Sequence, residues 1–297
     1  PSALLLEREG CPVIVGSHAR DGVLIGHRAV PGAWVDAEGR VDAIYDRFPS
    51  RSRPAAYAAL ERESFDIPRG NPASLIDLCN DKLLCQRAMA VRQPEVEGDP
   101  ARFPDALARW GAAFLKPRFG AFGVGVRRVS PGDALPAWTD GPHGEPQPTL
   151  LQQAVSPPTG FAGVACRVLV QRDGSGWWAD VPVARTSRTD AVVNAARGAE
   201  VVPLAAAWPA AVDDVRRLAL AVAAQLAALP GGSWLIELGV DIVLDEGGSP
   251  WVIEVNGRPR GRLESLLPQD PRWLPEHVDA CARPLRALAA LSRTRPL

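Results

Sequence analysis

The sequence predicts an α/β fold assembled from more than one subdomain. Short apolar runs bounded by Gly, Pro and Asp alternate with stretches of helical period. Two strands at 113–116 and 126–129 flank a glycine-rich loop, and two more at 235–244 and 251–255 flank Asp245-Glu246-Gly247-Gly248-Ser249. With 297 residues, 46% hydrophobic and 23% charged, the chain can bury a sizeable core and has room for two or three subdomains.

The first 70 or so residues read as short strands with turns. Val13–Val15 ends at Gly16, Val23–Ile25 ends at Gly26, and Ala43–Tyr45 runs into Asp46-Arg47-Phe48-Pro49-Ser50-Arg51. Asn71-Pro72 marks a turn. Asn80 or Asp81 can cap a helix through Leu83, Leu84, Arg87 and Ala88 that ends before Pro94. The strand Ala113–Lys116 enters the loop 117–125, and Val126–Val129 leaves it. Residues 130–148, rich in Pro and Gly, read as a linker or surface loop. Thr149–Val155 is a strand, and Ala165–Gln171 and Trp177–Arg185 flank the hairpin signal Asp173-Gly174. Pro209 opens a helix with apolar residues at Val212, Val215, Leu218, Ala219, Val222 and Leu226, stopped by Pro230-Gly231-Gly232.

Composition narrows the function. The net charge of −1 gives no global basic field for nucleic acid or an acidic membrane. No apolar run reaches the roughly 18–20 residues of a membrane span, and the start, PSALLLEREG, lacks the pattern of a secretory signal. Cys11, Cys79, Cys85, Cys166 and Cys281 are odd in number and without C-x-x-C spacing, which argues against zinc or a disulfide framework and for buried thiols in a reducing cytoplasm. Of 33 basic residues only Lys82 and Lys116 are lysines, which suggests sites that arginine would not fit.

The last strand pair is the most informative stretch. With a turn over 246–249, Asp245 pairs with Pro250, Asp241 stands opposite Glu254 and Gly239 opposite Asn256. Opposed residues share a face, so Asp241, Glu254 and Asn256 converge while Trp251, Ile253 and Val255 point into a core. Two carboxylates and one amide suit Mg²⁺ better than zinc. A one-residue slip would scatter the trio, and ordinary exposed acids on a surface hairpin fit the same spacing. Upstream, Gly120, Gly123 and Gly125 let backbone N–H groups approach an anion, with Lys116 just before them. The loop is not G-x-x-x-x-G-K-[ST] and opens no helix, so neither a P-loop nor a dinucleotide fingerprint fits. A flexible turn is the other reading.

In their order, these pieces resemble the ATP-grasp superfamily: Asn80-Asp81-Lys82, Phe114-Leu115-Lys116-Pro117 with its glycine loop, Leu150 to Val155, Arg167, Arg185, Asn194, Glu237 to Asp241, and Ile253-Glu254-Val255-Asn256. Ile44 to Arg51 looks like the YheC/YheD branch, named for spore-coat-associated proteins. The resemblance implies an N-terminal subdomain at 1–75, a central one at 76–148 with the glycine flap and a C-terminal one at 149–297 with the metal hairpin, ATP lying between the last two. It implies that Lys82 and Lys116 hold the ATP phosphates under the flap of Gly120, Gly123 and Gly125. Gln152, Gln153 and Val155 look like the adenine hinge, with Gln153 where an acidic residue is common. Asp241, Glu254 and Asn256 look like the Mg²⁺ ligands, and Arg185, Asn194 and Arg167 like the groups facing the γ-phosphate and the activated substrate.

The activity so implied is an ATP- and Mg²⁺-dependent, ADP-forming carboxylate–amine ligase acting through an acylphosphate on a small molecule or peptide. The alternatives are a small-molecule kinase on the same scaffold and a nucleotide-binding coat or structural protein without turnover. Arg47, Arg51, Arg258 and Arg260 are open between gripping a substrate carboxylate and structural or solvated positions. The four scattered histidines have no partner pattern.

Overall fold

In the computed structural model the residues described are 1–48, 54–63, 67–120, 123–140, 144–174, 176–193, 198–261 and 263–294. Asn194, Arg51 and the flap residues 121–122 lie outside them.

The chain opens with α1 (Ser2–Arg8), then a meander of β1 (Ile14–Arg20), β2 (Val23–Val30) and β3 (Ala33–Gly39). The short β4 (Ile44–Tyr45) and β5 (Arg69–Gly70) pair in parallel on either side of α2 (Pro54–Glu63). Neither α1, α2 nor β3 was legible in the sequence. β3 is almost wholly exposed and carries no apolar alternation, and α1 is a single apolar run with only Leu6 buried.

The expected helix is α4 (Lys82–Arg87), capped by Asp81, and a further helix, α3 (Ala73–Asn80), precedes it. Asp81 breaks them because its backbone is extended while its Oδ1 accepts from the Leu83 and Leu84 N–H groups, both at 3.1 Å. A second sheet follows, in the order β6 (Val96–Glu97), β10 (Pro146–Gln153), β7 (Ala113–Pro117), β8 (Arg127–Val129), with β9 (Trp138–Asp140) also on β10. Its core is α5 (Phe103–Trp110), whose Phe103, Ala106 and Leu107 pack on Leu115, Val129 and Leu151. The stretch 130–148, expected as loop, thus contributes β9 and the start of β10; its pairing is supplied by the partner strand and not by apolar alternation. β10 also runs across the expected subdomain boundary at 148/149.

The third sheet holds most of the cleft floor. Its order is β14 (Glu200–Pro203), β13 (Val183–Ser187), β11 (Gly163–Asp173), β15 (Glu237–Leu244), β16 (Pro250–Asn256), with β12 (Gly176–Ala179) on β11. Trp177–Arg185 is therefore two strands. Pro182 has no N–H to continue a ladder, and the Asp180 N–H turns to the Leu169 carbonyl at 2.8 Å. After the short α6 (Leu204–Ala207), helix α7 (Val212–Ala227) buries Val215, Ala219, Val222 and Leu226 against Val168, Val170, Val240 and Ile242. At about 1.5–3 kcal/mol per large buried side chain, this face is a main source of stability. A final helix, α8 (Leu274–Arg293), closes the other end and touches β11.

The terminal hairpin corrects the expected register at one point. Gly239 pairs with Asn256 and Asp241 with Glu254, as the spacing predicts, yet Leu244 and not Asp245 pairs with Pro250. A bulge between Asp241 and Ile242 absorbs the difference, with Ile253 as the extra residue. Alternation therefore changes phase. Val252 and Val255 are the core residues, each 2% exposed. Ile253 faces the cleft, and Trp251 lies half-buried under Arg92, its indole N–H donating to Asp245 Oδ2 at 2.9 Å.

Candidate active site

A cleft of about 630 Å³ opens between the second and third sheets. Its floor is built by strand adjacency. Arg185 on β13, Arg167 on β11, Asp241 on β15 and Glu254 with Asn256 on β16 occupy neighbouring strands and all line the cleft. Arg167 and Asp241 are directly opposed across β11 and β15, as are Asp241 and Glu254 across β15 and β16. The roof and sides carry Lys82 from α4, Lys116 from β7, Gly120 and Gly123 from the flap, and Gln152, Gln153 and Val155 from β10 and the segment after it. Gly125, at φ +70, sits against the Pro117 ring and does not line the cleft; a Cβ there would be 2.9 Å from Pro117 Cγ.

The charges are paired in a defined way. Asp241 is 4% exposed and accepts from Arg167 Nε at 2.9 Å and from Arg167 Nη2. It also accepts from Arg185 Nη2 and Asn256 Nδ2, both at 3.1 Å. Arg185 Nε is buried in the cleft wall without a hydrogen-bond partner among the described residues.

Lys82 Nζ donates to the Gly120 carbonyl and lies 3.4 Å from Glu254 Oε1. Its place is set by the α4 cap. Arg118 forks onto Asp81 at 2.8 and 2.7 Å, and the Lys82 N–H donates to the Arg118 carbonyl at 3.2 Å. Lys116 Nζ donates to Gln152 Oε1 and lies 5.9 Å from the Phe114 ring centroid. Burial pushes the Lys116 ammonium down to about 8; Lys82 adds to this while Glu254 and Asp241 oppose it. Gln152 Nε2 is held by Gln86 Oε1 at 3.3 Å.

Sequence reasoning missed three supports. Asn71 is buried and joins the β5–α3 junction to the third sheet. Its Nδ2 donates to the Glu237 and Gly257 carbonyls, both at 2.6 Å, and its Oδ1 accepts from the Ile236 and Glu237 N–H groups. Glu237 is buried two strand positions from Gly239 and accepts from Tyr45 Oη at 2.5 Å and Arg47 Nη1 at 2.7 Å. Arg47 thereby takes a structural position. The third is the Arg118 fork onto the Asp81 cap; Arg118 adjoins Lys116, a signal that could have found it. Asn71 read only as a turn residue.

Among the described residues no three His, Cys, Asp or Glu cluster, and the third oxygen comes from the Asn256 amide. Two carboxylates and an amide oxygen on adjoining strands, with no soft ligand, fit a hard cation such as Mg²⁺.

The two-sheet cleft, with its lysines above an acidic hairpin, has the ATP-grasp fold. Residues 135–271 match the family model described as YheC/D like ATP-grasp. Among solved structures the chain is similar to a D-cycloserine synthetase at 20% identity and TM-score 0.56, covering 85% of this chain and 84% of that one. It is similar to D-alanyl-alanine synthetase A from Vibrio cholerae at 14% identity and TM-score 0.56, covering 94% and 83%. The ATP-grasp ligase PsnB, solved with a minimal precursor, Mg and ADP, matches at 17% identity and TM-score 0.50 over 82% and 68%. The chain spans only 51% of the N5-carboxyaminoimidazole synthase from Aspergillus clavatus. At these identities the likeness is one of fold. No curated protein matches the sequence significantly. Among the described residues no helix is long and apolar enough to cross a membrane.

Proposed function

We propose that the chain is an ATP- and Mg²⁺-dependent, ADP-forming carboxylate–amine ligase acting on a small molecule or peptide through an acylphosphate. The observation that carries this reading is the convergence of Lys82, Lys116, Arg167 and Arg185 with Asp241, Glu254 and Asn256 on one cleft. We take its subdomains as 1–75, 76–148 and 149–297, the last boundary falling inside β10, and its location as cytoplasmic, consistent with five free thiols.

Each residue then has a task. Lys82 and Lys116 bind the phosphates, and the flap from Gly120 shields them from water. The Gln153 and Ala154 N–H groups are spent on the Glu95 and Ala112 carbonyls, at 2.9 and 3.0 Å, so the base is read by the groups beyond them toward Val155. Asp241, Glu254 and Asn256 would hold Mg²⁺, which when bound neutralises phosphate charge. Arg185, which lines the cleft, faces the transferring phosphoryl group, and Arg167 holds the Asp241 carboxylate in place. Asn194 remains assigned to the γ-phosphate by resemblance. A substrate carboxylate oxygen attacks the γ-phosphorus as the bond to the ADP oxygen breaks. An amine then attacks the acyl carbon and phosphate leaves, giving an amide.

The test is ADP release across a panel of amino acids, peptides and polyols, with mass spectrometry of the product. ADP formation that needs both a carboxylate and an amine, with an amide product, is expected. A phosphorylated polyol would make the protein a kinase, and nucleotide binding with no turnover would make it a binding protein.

A further inference from the structure

The chain has five cysteines and a single methionine, and none of them takes part in the chemistry above. Two of the cysteines and the methionine nevertheless meet. Cys79, Cys85 and Met89 line one cavity of about 10 Å³ beside the cleft, between α3, α4 and β16. That is about the space of one water-sized sphere. The three residues are 3%, 3% and 7% exposed, and the Cys79 and Cys85 thiols are hydrogen-bonded to one another. Cys11, Cys166 and Cys281 do not line the cavity.

The break at Asp81 brings the sulfurs together. α3 ends at Asn80, the extended Asp81 turns the chain, and its carboxylate caps α4, so Cys79 at the end of one helix meets Cys85 in the next. Met89 follows Ala88, the C-cap of α4. Gln93 Nε2 clasps the chain there, donating to the Gln86 and Met89 carbonyls at 2.8 and 3.0 Å. Val252 and Val255 of β16 close the cavity from the sheet. Gly257 lets α3 lie close, since a Cβ there would be 3.0 Å from Ile76 Cα and 3.5 Å from Cys79 Cβ. Cap, clasp and sheet fix the three residues before any ligand arrives, which lowers the ordering cost of binding.

We infer that Cys79, Cys85 and Met89 form a site for a soft monovalent cation, Cu⁺. Two thiolates and a thioether are the donors that select it. Structural zinc takes four ligands, and three sulfurs are one short. The oxygens on the cavity wall have other partners: Gln86 Oε1 accepts from Gln152 Nε2 at 3.3 Å, and Glu254 Oε1 lies 3.4 Å from Lys82 Nζ. The Cys85 contact and burial push the Cys79 thiol up, so it keeps its proton until a metal displaces it. Each Cu⁺ bound sends two thiol protons to solvent and forms two bonds to thiolate sulfur, with the Met89 thioether as third donor and no electron transferred. Lys82, on the same wall, sets a cation beside the resulting anionic complex. The site stands independently of the nucleotide reading of the cleft.

The test uses the full chain, reduced and free of oxygen, in the background Cys11→Ser/Cys281→Ser, which removes the two thiols that are not buried. Cu⁺ is supplied as its bicinchoninate complex, whose colour falls as the protein takes the metal. One Cu⁺ per chain is expected, with a first shell of sulfur alone by X-ray absorption. Cys79→Ala and Cys85→Ala should each abolish uptake, and Met89→Leu, which conserves volume, should weaken it about tenfold or more. Should the alanine variants fail to fold, Met89→Leu and the absorption spectrum decide. Cu⁺ left on the chelator, an affinity unchanged in Met89→Leu, or nitrogen or oxygen in the first shell would overturn the inference and leave the three sulfurs as core packing.

Discussion

Val252→Ala is expected to destabilise the chain by about 2–3 kcal/mol, and Ile253→Ala by less than about 1 kcal/mol. Val252 is 2% exposed and packs in the core formed by β15, β16 and α7. Removing its two methyl groups forfeits roughly 0.8 kcal/mol each in transfer, and a residual cavity of about 50 Å³ adds roughly 1 kcal/mol. Ile253 is the bulged residue and faces the cleft, so truncation exposes little that was dry. Urea unfolding of both variants, with m-values checked for constancy, measures the difference. Uninterrupted alternation along β16 predicts the reverse order. If Ile253→Ala costs more than Val252→Ala, the bulge is misplaced and β16 keeps unbroken alternation with Ile253 in the core.

Glu254→Gln should change unfolding free energy by no more than about 1 kcal/mol, since its pairing with Lys82 is partly solvated; the Mg²⁺ requirement for ADP formation should rise instead, read by a metal titration of rate. Lys116→Met should remove most of the stabilisation by Mg-ATP, about 2.7 kcal/mol at a ligand concentration 100 times Kd; equal thermal shifts in wild type and variant would take Lys116 out of the phosphate site. Lys116 also predicts opposed pH slopes. Its ammonium is pushed down to about 8 from 10.5, so between those values the unfolded chain binds a proton the native one has released, and this group's contribution to stability rises with pH. Mg-ATP affinity should fall over the same window, by up to about tenfold per pH unit, as calorimetric titration would reveal. Asp81→Ala should cost about 1–2 kcal/mol through loss of the α4 cap and its Arg118 fork, measured by denaturation. Although burial opposes it, the Arg118 fork and the backbone donors hold the Asp81 carboxyl below its ordinary range. Its stabilisation is present above that ordinary value and is lost as pH falls through the lowered one.

Much of the cleft was legible because its parts are local in sequence. A lysine before a glycine loop and a hairpin whose opposed residues follow from the turn each specify a short-range geometry, and Gly239–Asn256 and Asp241–Glu254 pair as the spacing requires. The bulge at Ile253 was not legible. One extra residue in a strand leaves the apolar pattern intact in composition while changing its phase, and only packing on α7 decides which valines go inside.

The sequence by itself determined the residue types, their order and the chemistry they can support: two lysines, oxygen groups that suit a hard cation and a glycine-rich loop after Lys116. What only the tertiary structure decided was which charges meet. Arg167 and Arg185 are 74 and 56 residues from Asp241 yet share its carboxylate, and Asp46 reaches Arg258 across 212 residues. Such pairs carry no local periodicity, because they are set by the order of strands in a sheet and by the docking of β4 and α2 against it. A buried guanidinium accepts whichever carboxylate the assembled sheet brings within reach.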